Sequence, residues 1–478
     1  MKNILLAASE CVPFIKTGGL ADVVGSLPKY FDKKACDARV ILPCYMCISW
    51  DYRKDMRYVG SFYMNYNGFD RYVGVKELVL SGVRFYFIDN EEYFGGDRPY
   101  TEMSYDIEKF GFFSKAVLAV LPMLGFRPDV IHCNDWHTGL IPVYLKTLFA
   151  ADPYYQGIKS VMTIHNLRFQ GRWGIDDVMR FTGLPGELFT PDKLEFYGDS
   201  NYLKGGILYA DAVTTVSDTY VDETKTAFYG DGLDGVLNAV SGKYSGIVNG
   251  IDFADYDPAK DSTLSRNFSL RNFKSGKAAC KAALQRELGL FEDPDVCLVG
   301  IVSRMTEQKG FDLIGQIARE MLGANVQFAV LGTGDRRFED MFRELQEEYP
   351  GRLAACIHYS EAQSRRIYAG SDMFLMPSLF EPCGLSQLIA LRYGSLPLVR
   401  RTGGLRDTVI PLGEAPDEGT GFAFYDYDAG QLLSCFWSAL DMYYNDRAAW
   451  SRAVRRAMKQ DFSWTASARR YEELYEGL

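Results

Sequence analysis

The chain has no long uninterrupted apolar run among its 478 residues. The stretch 117–126 is broken by Pro122 and is much shorter than the roughly 20 residues that a membrane-spanning helix needs. The apolar residues that follow the first two positions end at Ser9, which is too short for the core of a secretory signal. We therefore expect no association with a membrane, and a cytoplasmic location.

An excess of positive charge and a cysteine framework are also missing. The formal net charge is −10 at pH 7, whereas a protein that binds nucleic acid presents a basic face to the phosphates. The ten cysteines are scattered, and Cys44 and Cys47, which have the spacing of a redox or zinc pair, are not accompanied by a second pair. We therefore expect no nucleic acid partner, and reduced thiols of the kind found in cytosolic proteins.

The sequence does contain a regular alternation of short β-branched runs and amphipathic stretches. A chain of this length exceeds one ordinary hydrophobic core, so two domains are expected. The alternation favours an α/β fold with a doubly wound parallel sheet in each half, joined near residues 240–251, where turn residues cluster. Residues 66–72 and 91–105, rich in tyrosine, glycine and aspartate, are expected to be long loops. The predicted strands are Asn3–Ser9, Arg39–Pro43, Val83–Asp89, Asp129–His132, Ser160–His165 and Ala212–Ser217 in the first half, and Val296–Val302, Val326–Leu331, Met373–Pro377 and Leu396–Val399 in the second.

A glycine pair stands between a strand and a helical stretch in each half of the chain. Gly18 and Gly19 follow the first predicted strand and precede an apolar stripe at helical spacing, and Gly403 and Gly404 follow the last predicted strand. Glycine allows a backbone to approach a ligand closely, and a helix N-terminus attracts anions. Lys16 adds a positive charge that can reach a phosphate. Taken alone, such a loop is more often a simple tight turn, but two of them suggest a common ligand.

Polar residues also follow four of the predicted strands, at the edge where doubly wound sheets bind their ligands. Alone, each has a structural explanation: His137 and His165 can be satisfied in the core, and Glu381 can cap a helix. Arg304 and Lys309 can lie on a solvated face. Because all of them fall on the same edges of two sheets, we interpret them as parts of a functional site. The segments are Asn134–His137, His165–Asn166, Ser303–Gly310 and Ser378–Leu385.

These segments closely resemble the signature motifs of bacterial glycogen synthases and plant starch synthases. The matching motifs occur in the order of the family and cover essentially the whole chain. They are Lys16-Thr-Gly-Gly-Leu20, Asn134-Asp-Trp-His137, Thr163-Ile-His-Asn166, Gly232-Leu-Asp-Gly235, Gly246-Ile-Val-Asn-Gly-Ile-Asp252, Ser303-Arg-Met-Thr-Glu-Gln-Lys-Gly310, Phe380-Glu-Pro-Cys-Gly-Leu385 and Arg401-Thr-Gly-Gly-Leu-Arg-Asp407.

The resemblance implies a glycosyltransferase of the GT-B type, with two Rossmann-like doubly wound domains facing a cleft. Residues 1–245 would form the acceptor side and residues 246–460 would bind the nucleotide sugar. A helix in 461–478 would cross back to the first domain. Such an enzyme transfers glucose from ADP-glucose to the non-reducing end of an α-1,4-glucan, glycogen or a maltooligosaccharide, with retention of configuration.

The resemblance also assigns roles to single residues. Glu381 is expected at the transferred sugar, His165 near the reacting glucosyl group, and Asp135 at a position where it either catalyses or only binds. Arg304 and Lys309 would hold the diphosphate as its charge develops. Tyr359 would stack on the adenine. The full donor site is expected to comprise Lys16, Gly18, Gly19, Asn249, Arg304, Lys309, Tyr359, Cys383, Gly384, Leu385, Thr402, Gly403 and Gly404, and the acceptor side Trp136, His137 and Asn166.

No cofactor and no metal ion are expected. The Asp-X-Asp triplets at 255–257, 293–295 and 426–428 lie in loop-like sequence and are interpreted as turns. Because no carboxylate is evidently placed as a nucleophile, we hypothesise that the acceptor hydroxyl attacks the face from which the diphosphate leaves. An oxygen of the diphosphate would take its proton.

One position departs from the wider clan of two-domain retaining transferases. Many of them carry a second glutamate eight residues after the first, where this chain has Ile389. The departure fits glycogen and starch synthases and disfavours enzymes that make sucrose, trehalose or cell walls. The alternatives are a related transferase that uses UDP-glucose or a non-glucan acceptor, a sugar-nucleotide epimerase, and an inactive glucan-binding scaffold.

Overall fold

The computed structural model describes the complete chain, from Met1 to Leu478. The chain divides into two compact units. Unit 1 consists of Met1–Asn249 together with Trp464–Leu478, and unit 2 consists of Gly250–Ser463. The chain therefore passes between the units twice, after Asn249 and after Ser463.

Unit 1 is built on a large sheet and a small sheet. Its strands are β1 (Lys2–Ala7), β2 (Cys36–Pro43), β3 (Arg57–Tyr66), β4 (Phe69–Leu80), β5 (Val83–Asp89), β6 (Val130–Asn134), β7 (Lys159–Ile164), β8 (Arg172–Gly174), β9 (Glu195–Phe196), β10 (Asp199–Asn201), β11 (Ala212–Thr215) and β12 (Tyr244–Gly246). The large sheet has the order β12-β11-β7-β6-β1-β2-β5-β4-β3, and the small sheet β8-β10-β9. From β12 to β5 all neighbours run parallel, and β4 and β3 extend the sheet antiparallel.

Helices connect the parallel strands of unit 1. They are α1 (Gly19–Tyr30), α2 (Trp50–Arg53), α3 (Glu91–Phe94), α4 (Met103–Ala119), α5 (Leu140–Lys146), α6 (Ile175–Thr182), α7 (Tyr202–Tyr209), α8 (Asp218–Thr224) and α9 (Asp234–Ala239). The predicted stripe of α1 is confirmed: Leu20, Val23, Val24 and Leu27 are all buried. Its apolar side chains cover the sheet, and the polar N-terminal turn stays at the edge where β1 ends.

Unit 2 is a second doubly wound α/β unit. Its strands are β13 (Cys297–Val302), β14 (Val326–Leu331), β15 (Leu353–Cys356), β16 (Met373–Met376), β17 (Leu396–Arg400) and β18 (Phe422–Phe424). They form one parallel sheet in the order β15-β14-β13-β16-β17-β18. The helices are α10 (Phe273–Leu288), α11 (Phe311–Gly323), α12 (Arg336–Glu348), α13 (Glu361–Gly370), α14 (Ser386–Arg392), α15 (Gly403–Thr408), α16 (Ala429–Asn445) and α17 (Arg447–Ala457). The predicted fold class, two Rossmann-like α/β units, is confirmed.

The last helix, α18 (Trp464–Glu476), belongs to unit 1. Trp464, Tyr471 and Tyr475 on it are buried in the core of that unit. The hydroxyl of Tyr475 lies 2.7 Å from His132 Nδ1 in β6, and its carbonyl accepts a hydrogen bond of 2.7 Å from Lys2 Nζ in β1. The end of the chain is therefore part of the core around the first strand.

The two long loops expected in the first half are not found as such. In 91–105, only the residues between α3 and α4 are loop, because α3 covers Glu91–Phe94 and α4 begins at Met103. Residues 66–72 are not a long loop, because β3 and β4 form a hairpin closed by Asn67 and Gly68, with φ values of 55° and 72°. Positive φ at both positions suits the right-handed twist of a hairpin. None of the helices combines the length and the apolar character needed to span a bilayer.

Candidate functional site

Each unit collects polar residues where its strand order reverses. In unit 1, β2 and β5 lie on one side of β1, and β6, β7 and β11 lie on the other. In unit 2 the reversal lies between β13 and β16. The carboxyl ends of strands at such a switch point form the crevice in which doubly wound sheets bind ligands. Each unit therefore has one candidate site.

The loop after β1 is organised by a buried carboxylate, Glu10. Its Oε2 accepts hydrogen bonds from Thr17 N at 2.5 Å and Thr17 Oγ1 at 2.8 Å. Burial raises the pKa of Glu10, and the hydrogen bonds from Thr17 and from the Gly18 amide oppose that rise. On the outer side, Lys16 Nζ pairs with Asp22 in the first turn of α1 at 2.7 Å. The glycine loop is thus held by two carboxylates: Glu10 binds Thr17, and Asp22 binds Lys16.

Asp135 and His165 are joined where β6 and β7 end. Asp135 Oδ1 accepts a hydrogen bond from His165 N at 2.8 Å, and His165 Nε2 lies 2.9 Å from Asn134 Oδ1. Because an amide oxygen only accepts, Nε2 carries the ring proton in this arrangement. Burial lowers the pKa of His165 to about 3. The imidazole is therefore uncharged at neutral pH, with its Nδ1 lone pair unprotonated.

The pKa of Asp135 is shifted upward, whereas that of His165 is shifted downward. Burial raises its pKa to about 7, although hydrogen bonds from the amides of His165 and Asn166 favour the charged form, and Glu10 adds repulsion. The backbone of Asp135 has φ 57°, a value that costs energy in a residue with a side chain. A strained, buried and partly protonated carboxyl at a switch point is typical of a functional residue.

His137 lies in a buried aromatic cluster beside these groups. Its ring centroid is 4.9 Å from that of Tyr100, nearly parallel, and 4.6 Å from that of Phe110. Burial lowers the pKa of His137 well below its ordinary value, so the ring is neutral. Its Nδ1 is buried and has no hydrogen-bond partner, which is uncommon for a polar atom inside a protein. A ligand hydroxyl could satisfy this nitrogen.

Of the other predicted residues of unit 1, Trp136 and Asn166 adjoin this cluster, and Asn249 does not. Trp136 is buried under it, and Asn166 is half-buried with its Oδ1 accepting from Arg168 N at 3.1 Å. Asn249, the last residue before the chain enters unit 2, is buried with its Oδ1 unpartnered. It lies after β12, at the far side of the sheet from β1 in strand order.

In unit 2, an ion pair spans the switch point. Lys309 Nζ lies 2.9 Å from Oε1 and 2.6 Å from Oε2 of Glu381, and both side chains are largely buried. Ser378 Oγ donates a further hydrogen bond of 3.1 Å to the same carboxylate. The loop after β13 supplies the cation and the loop after β16 supplies the anion. These contacts hold the carboxylate in a fixed orientation at the strand ends.

Close backbone packing around Glu381 explains the glycines of unit 2. A Cβ on Gly403 would lie 2.0 Å from the carbonyl oxygen of Glu381, and one on Gly404 would lie 2.1 Å from that of Cys383. Gly403 also has φ 43°, and Gly404 N donates to Glu381 O at 3.1 Å. The glycine pair therefore serves contact between two loops of the protein, in addition to any ligand.

The remaining donor-site candidates lie at the same edge of unit 2. Arg304 is exposed directly after β13 and makes no ion pair, and Tyr359 is exposed before the N-cap of α13. Gln387, buried in α14, donates hydrogen bonds of 3.0 Å to the carbonyls of Cys383 and Gly384. Leu385 and Thr402 occupy the N-cap positions of α14 and α15, so all of these residues border one set of strand ends.

The aspartate triplets take part in local structure. Asp255 pairs with Arg365 at 2.9 Å, Asp293 accepts from the backbone two residues on, and Asp428 caps α16. No group of three or more histidine, cysteine, aspartate or glutamate side chains is arranged to hold a metal ion.

Sequence reasoning missed three contributors to these sites. Glu10 lies in a mostly apolar stretch and Tyr100 in a polar one, and nothing local marks them as partners of the glycine loop and His137. A third is the loop Gly332–Gly334 after β14: Met305 N donates to Thr333 O at 2.9 Å, and a Cβ on Gly332 would lie 1.8 Å from Ser303 O. Two glycines between a strand and a helix were the signal that could have found it.

Two family models match the chain in succession. The model described as the starch synthase catalytic domain covers residues 3–239, and the model of glycosyl transferases group 1 covers residues 282–457. The glycogen synthase of Lachnospira eligens is 58% identical over all 478 residues and the whole of both chains. That of Lachnoclostridium phytofermentans is 52% identical over the same length, and that of Geobacillus stearothermophilus 46%, covering 98% of the relative.

Solved structures give the same result. The catalytic domain of starch synthase IV from Arabidopsis thaliana, bound to ADP and acarbose, superposes with a TM-score of 0.93 at 34% identity, covering 100% of this chain and 99% of that one. Sucrose-phosphate synthase from Thermosynechococcus elongatus has a TM-score of 0.63 at 17% identity, with 100% and 99% coverage, a likeness of fold alone. The resemblance that the motifs carried is confirmed.

Proposed function

Because the chain belongs to the family of bacterial glycogen synthases and starch synthases, and is a glycosyltransferase, we propose that it transfers glucose from ADP-glucose to the non-reducing end of an α-1,4-glucan with retention of configuration. The single observation that carries this proposal from the geometry is the ion pair of Lys309 with Glu381 across the switch point of unit 2. It presents a fixed carboxylate, hydrogen-bonded on both oxygens, at the place where such sheets bind nucleotides.

Unit 2 would hold the donor. Arg304, which has no ion pair of its own, would neutralise the diphosphate, and Tyr359, exposed beside α13, would stack on the adenine. Glu381 would accept hydrogen bonds from the glucose hydroxyls. The Nζ of Lys309 has three protons, so it can keep its contact with Glu381 and still donate to an oxygen of the diphosphate.

Unit 1 would bind the acceptor and the reacting part of the donor. The neutral His165, the partly protonated Asp135 and the unsatisfied Nδ1 of His137 offer donors and acceptors to sugar hydroxyls without a strong local charge. Lys16, tethered to Asp22 at the start of α1, would reach the sugar nucleotide from the glycine loop. Burial of these groups excludes water, which limits hydrolysis of the donor.

Retention would follow from attack by the acceptor hydroxyl on the face that the diphosphate leaves. As the bond from glucose C1 to the diphosphate oxygen breaks, that oxygen gains negative charge, which Arg304 and Lys309 stabilise. The same oxygen would then accept the proton of the attacking hydroxyl while the new bond to C1 forms. Asp135 is a poor nucleophile for the alternative covalent route, because its Oδ1 is bonded to the His165 amide and it is partly protonated at neutral pH.

The test is incorporation of label into glycogen from ADP-glucose and, in parallel, from UDP-glucose, each with and without EDTA. We expect incorporation from ADP-glucose that EDTA does not change, and complete release of the label by an amylase specific for α-1,4 bonds. Glu381→Gln, which keeps the size of the side chain and removes its charge, is expected to lose activity while the protein stays folded. Incorporation from neither donor would refute the proposal, and a glucosyl adduct on Asp135 in the mass spectrum would refute the retention step.

A further inference from the structure

Three large aromatic side chains of unit 1 are exposed on neighbouring loops. Phe169 is 53% exposed, Tyr197 77% and Phe228 73%. Single exposed rings are common, but rings grouped on rigid loops mark binding surfaces. None of the three takes part in the sites described above. The three residues together are called the aromatic ridge.

A buried hydrogen-bond chain fixes the three loops to one another. Gln170, next to Phe169, donates from Nε2 to Asp231 O at 3.0 Å, in the loop that carries Phe228. Its Oε1 accepts from Asn201 Nδ2 at 2.6 Å, in the hairpin that carries Tyr197. Gln170 and Asn201 are buried, so these bonds are shielded from water. The three loops that carry the aromatic ridge are therefore held together by the fold and are not independent of one another.

The backbone of Tyr197 is unusual for its residue type. Tyr197 and Gly198 close the turn between β9 and β10 with φ values of 51° and 86°. Turns of this kind prefer asparagine and glycine, and a large aromatic residue at positive φ is strained. On the neighbouring loop, a Cβ on Gly232 would lie 2.9 Å from Phe196 Cζ and 3.4 Å from Tyr197 Cε2, so this loop packs closely against both rings of the turn. The fold thus holds a tyrosine at the tip of a turn that would be more stable with asparagine at this position.

The aromatic ridge begins at the candidate site. Phe169 follows His165 by four residues, and its N–H donates to Asn166 O at 3.3 Å. Two residues further on, Gly171 packs against Trp136, where a Cβ would lie 2.3 Å from Cε3. The loop that starts at the reacting groups therefore leads directly to the first ring.

We propose that the aromatic ridge binds the acceptor glucan beyond the sugar unit that reacts. The proposal rests on the proposed function and names a part of its acceptor site. A pyranose face carries C–H groups and packs on an aromatic ring, and a neutral polymer needs no charged partner. The loops that carry Phe169 and Phe228 also expose Arg168 and Asp231, whose polar groups suit hydroxyl groups. A protein partner would need a contiguous apolar core instead.

The test compares long and short acceptors in Tyr197→Asn. Asparagine is favoured at this turn, so the variant should be at least as stable as the parent protein. We expect the KM for glycogen and for maltoheptaose to rise about tenfold, because the variant loses one stacking contact between a ring and a sugar. The KM for ADP-glucose and the rate with maltotriose should stay unchanged. Phe169→Ala should act in the same direction, and Phe291→Ala, an exposed ring of unit 2, is the matched control.

Retardation of each variant by glycogen in a native gel gives a second readout that does not need activity. An active parent enzyme with an unchanged KM for glycogen in Tyr197→Asn and Phe169→Ala would overturn the ridge assignment alone. Equal losses with maltotriose and glycogen would also overturn it, because they indicate damage to the reacting site. If the parent protein makes no glucan but is retarded by glycogen, and Tyr197→Asn is not, the aromatic ridge stands while the proposed function fails.

Discussion

Replacing Asp135 by asparagine should make the protein more stable at alkaline pH. Burial raises the pKa of Asp135 from 3.8 to about 7. Between these values the folded protein holds a proton that the unfolded chain has released, so this group makes the free energy of unfolding fall as pH rises through the window. A tenfold change in a proton-binding constant is worth about 1.4 kcal/mol, so the raised pKa costs on the order of 4 kcal/mol above pH 7. Asparagine cannot ionise and therefore escapes this penalty.

The substitution keeps the hydrogen bond from the His165 amide, whereas the Asn166 amide loses its charged acceptor. The amide oxygen of asparagine can still accept from His165 N, and asparagine tolerates the φ of 57° better than most residues. Removing the charge also removes its repulsion of Glu10. The gain in the free energy of unfolding should therefore be about 2 kcal/mol at pH 5 and about 4 kcal/mol at pH 8.

The assay is thermal unfolding of the parent protein and Asp135→Asn from pH 5 to pH 8. For units of this size a few kcal/mol corresponds to roughly 10 °C in the unfolding midpoint, so the effect is easily measured. Asp97→Asn, on an exposed loop, controls for net charge. Curves that stay parallel across the pH range would refute the reasoning. A gain in stability together with a loss of turnover would identify Asp135 as a residue kept for activity at a cost in stability.

Three further predictions follow from the packing. Lys309→Met should lower the free energy of unfolding of unit 2 by about 3–5 kcal/mol, because it leaves the buried Glu381 without its cation. Adding Glu381→Gln should restore most of the lost stability. Equal melting temperatures of the single and double variants would contradict this. Gly403→Ala should cost about 3 kcal/mol or more through its clash with a carbonyl oxygen, whereas Gly413→Ala, with open space around it, should be neutral in the same thermal melts. Tyr475→Phe should cost about 1–3 kcal/mol by leaving a buried histidine nitrogen unpaired, measured by urea unfolding, and an unchanged midpoint would show that the bond contributes nothing.

The central strands could be predicted because buried parallel strands are short continuous apolar runs. The predicted limits of Val83–Asp89 and Val326–Leu331 agree with β5 and β14. The antiparallel strands β3 and β4 were missed, because at the edge of a sheet they mix tyrosine, glycine and charged residues without a clear apolar run. The three residues of β18 are too few to show any periodicity.

The site was predictable to the extent that strand ends determine it. His165 directly follows the buried strand β7, and Glu381 closely follows the buried strand β16. Their placement at a sheet edge therefore follows from the alternation of strands and helices in the sequence. The pairing of Glu381 with Lys309 could not be predicted, because it joins loops that are distant in sequence. Nor could the burial of Glu10, since its partner Thr17 lies across a turn whose path the sequence does not specify. The sequence suggested a ligand as the reason for Gly403 and Gly404. The structure adds a second reason, since side chains at these positions would clash with the backbone of the neighbouring loop.

The return of α18 to unit 1 has a consequence for how the protein is made. The core around β1 contains rings from α18, so the unit that leaves the ribosome first cannot be completed until this helix has been translated. Until then, His132 has no Tyr475 beside it, and apolar surface stays uncovered while all of unit 2 is synthesised. A chain truncated before α18 would leave this surface uncovered and would be recognisable to chaperones and proteases.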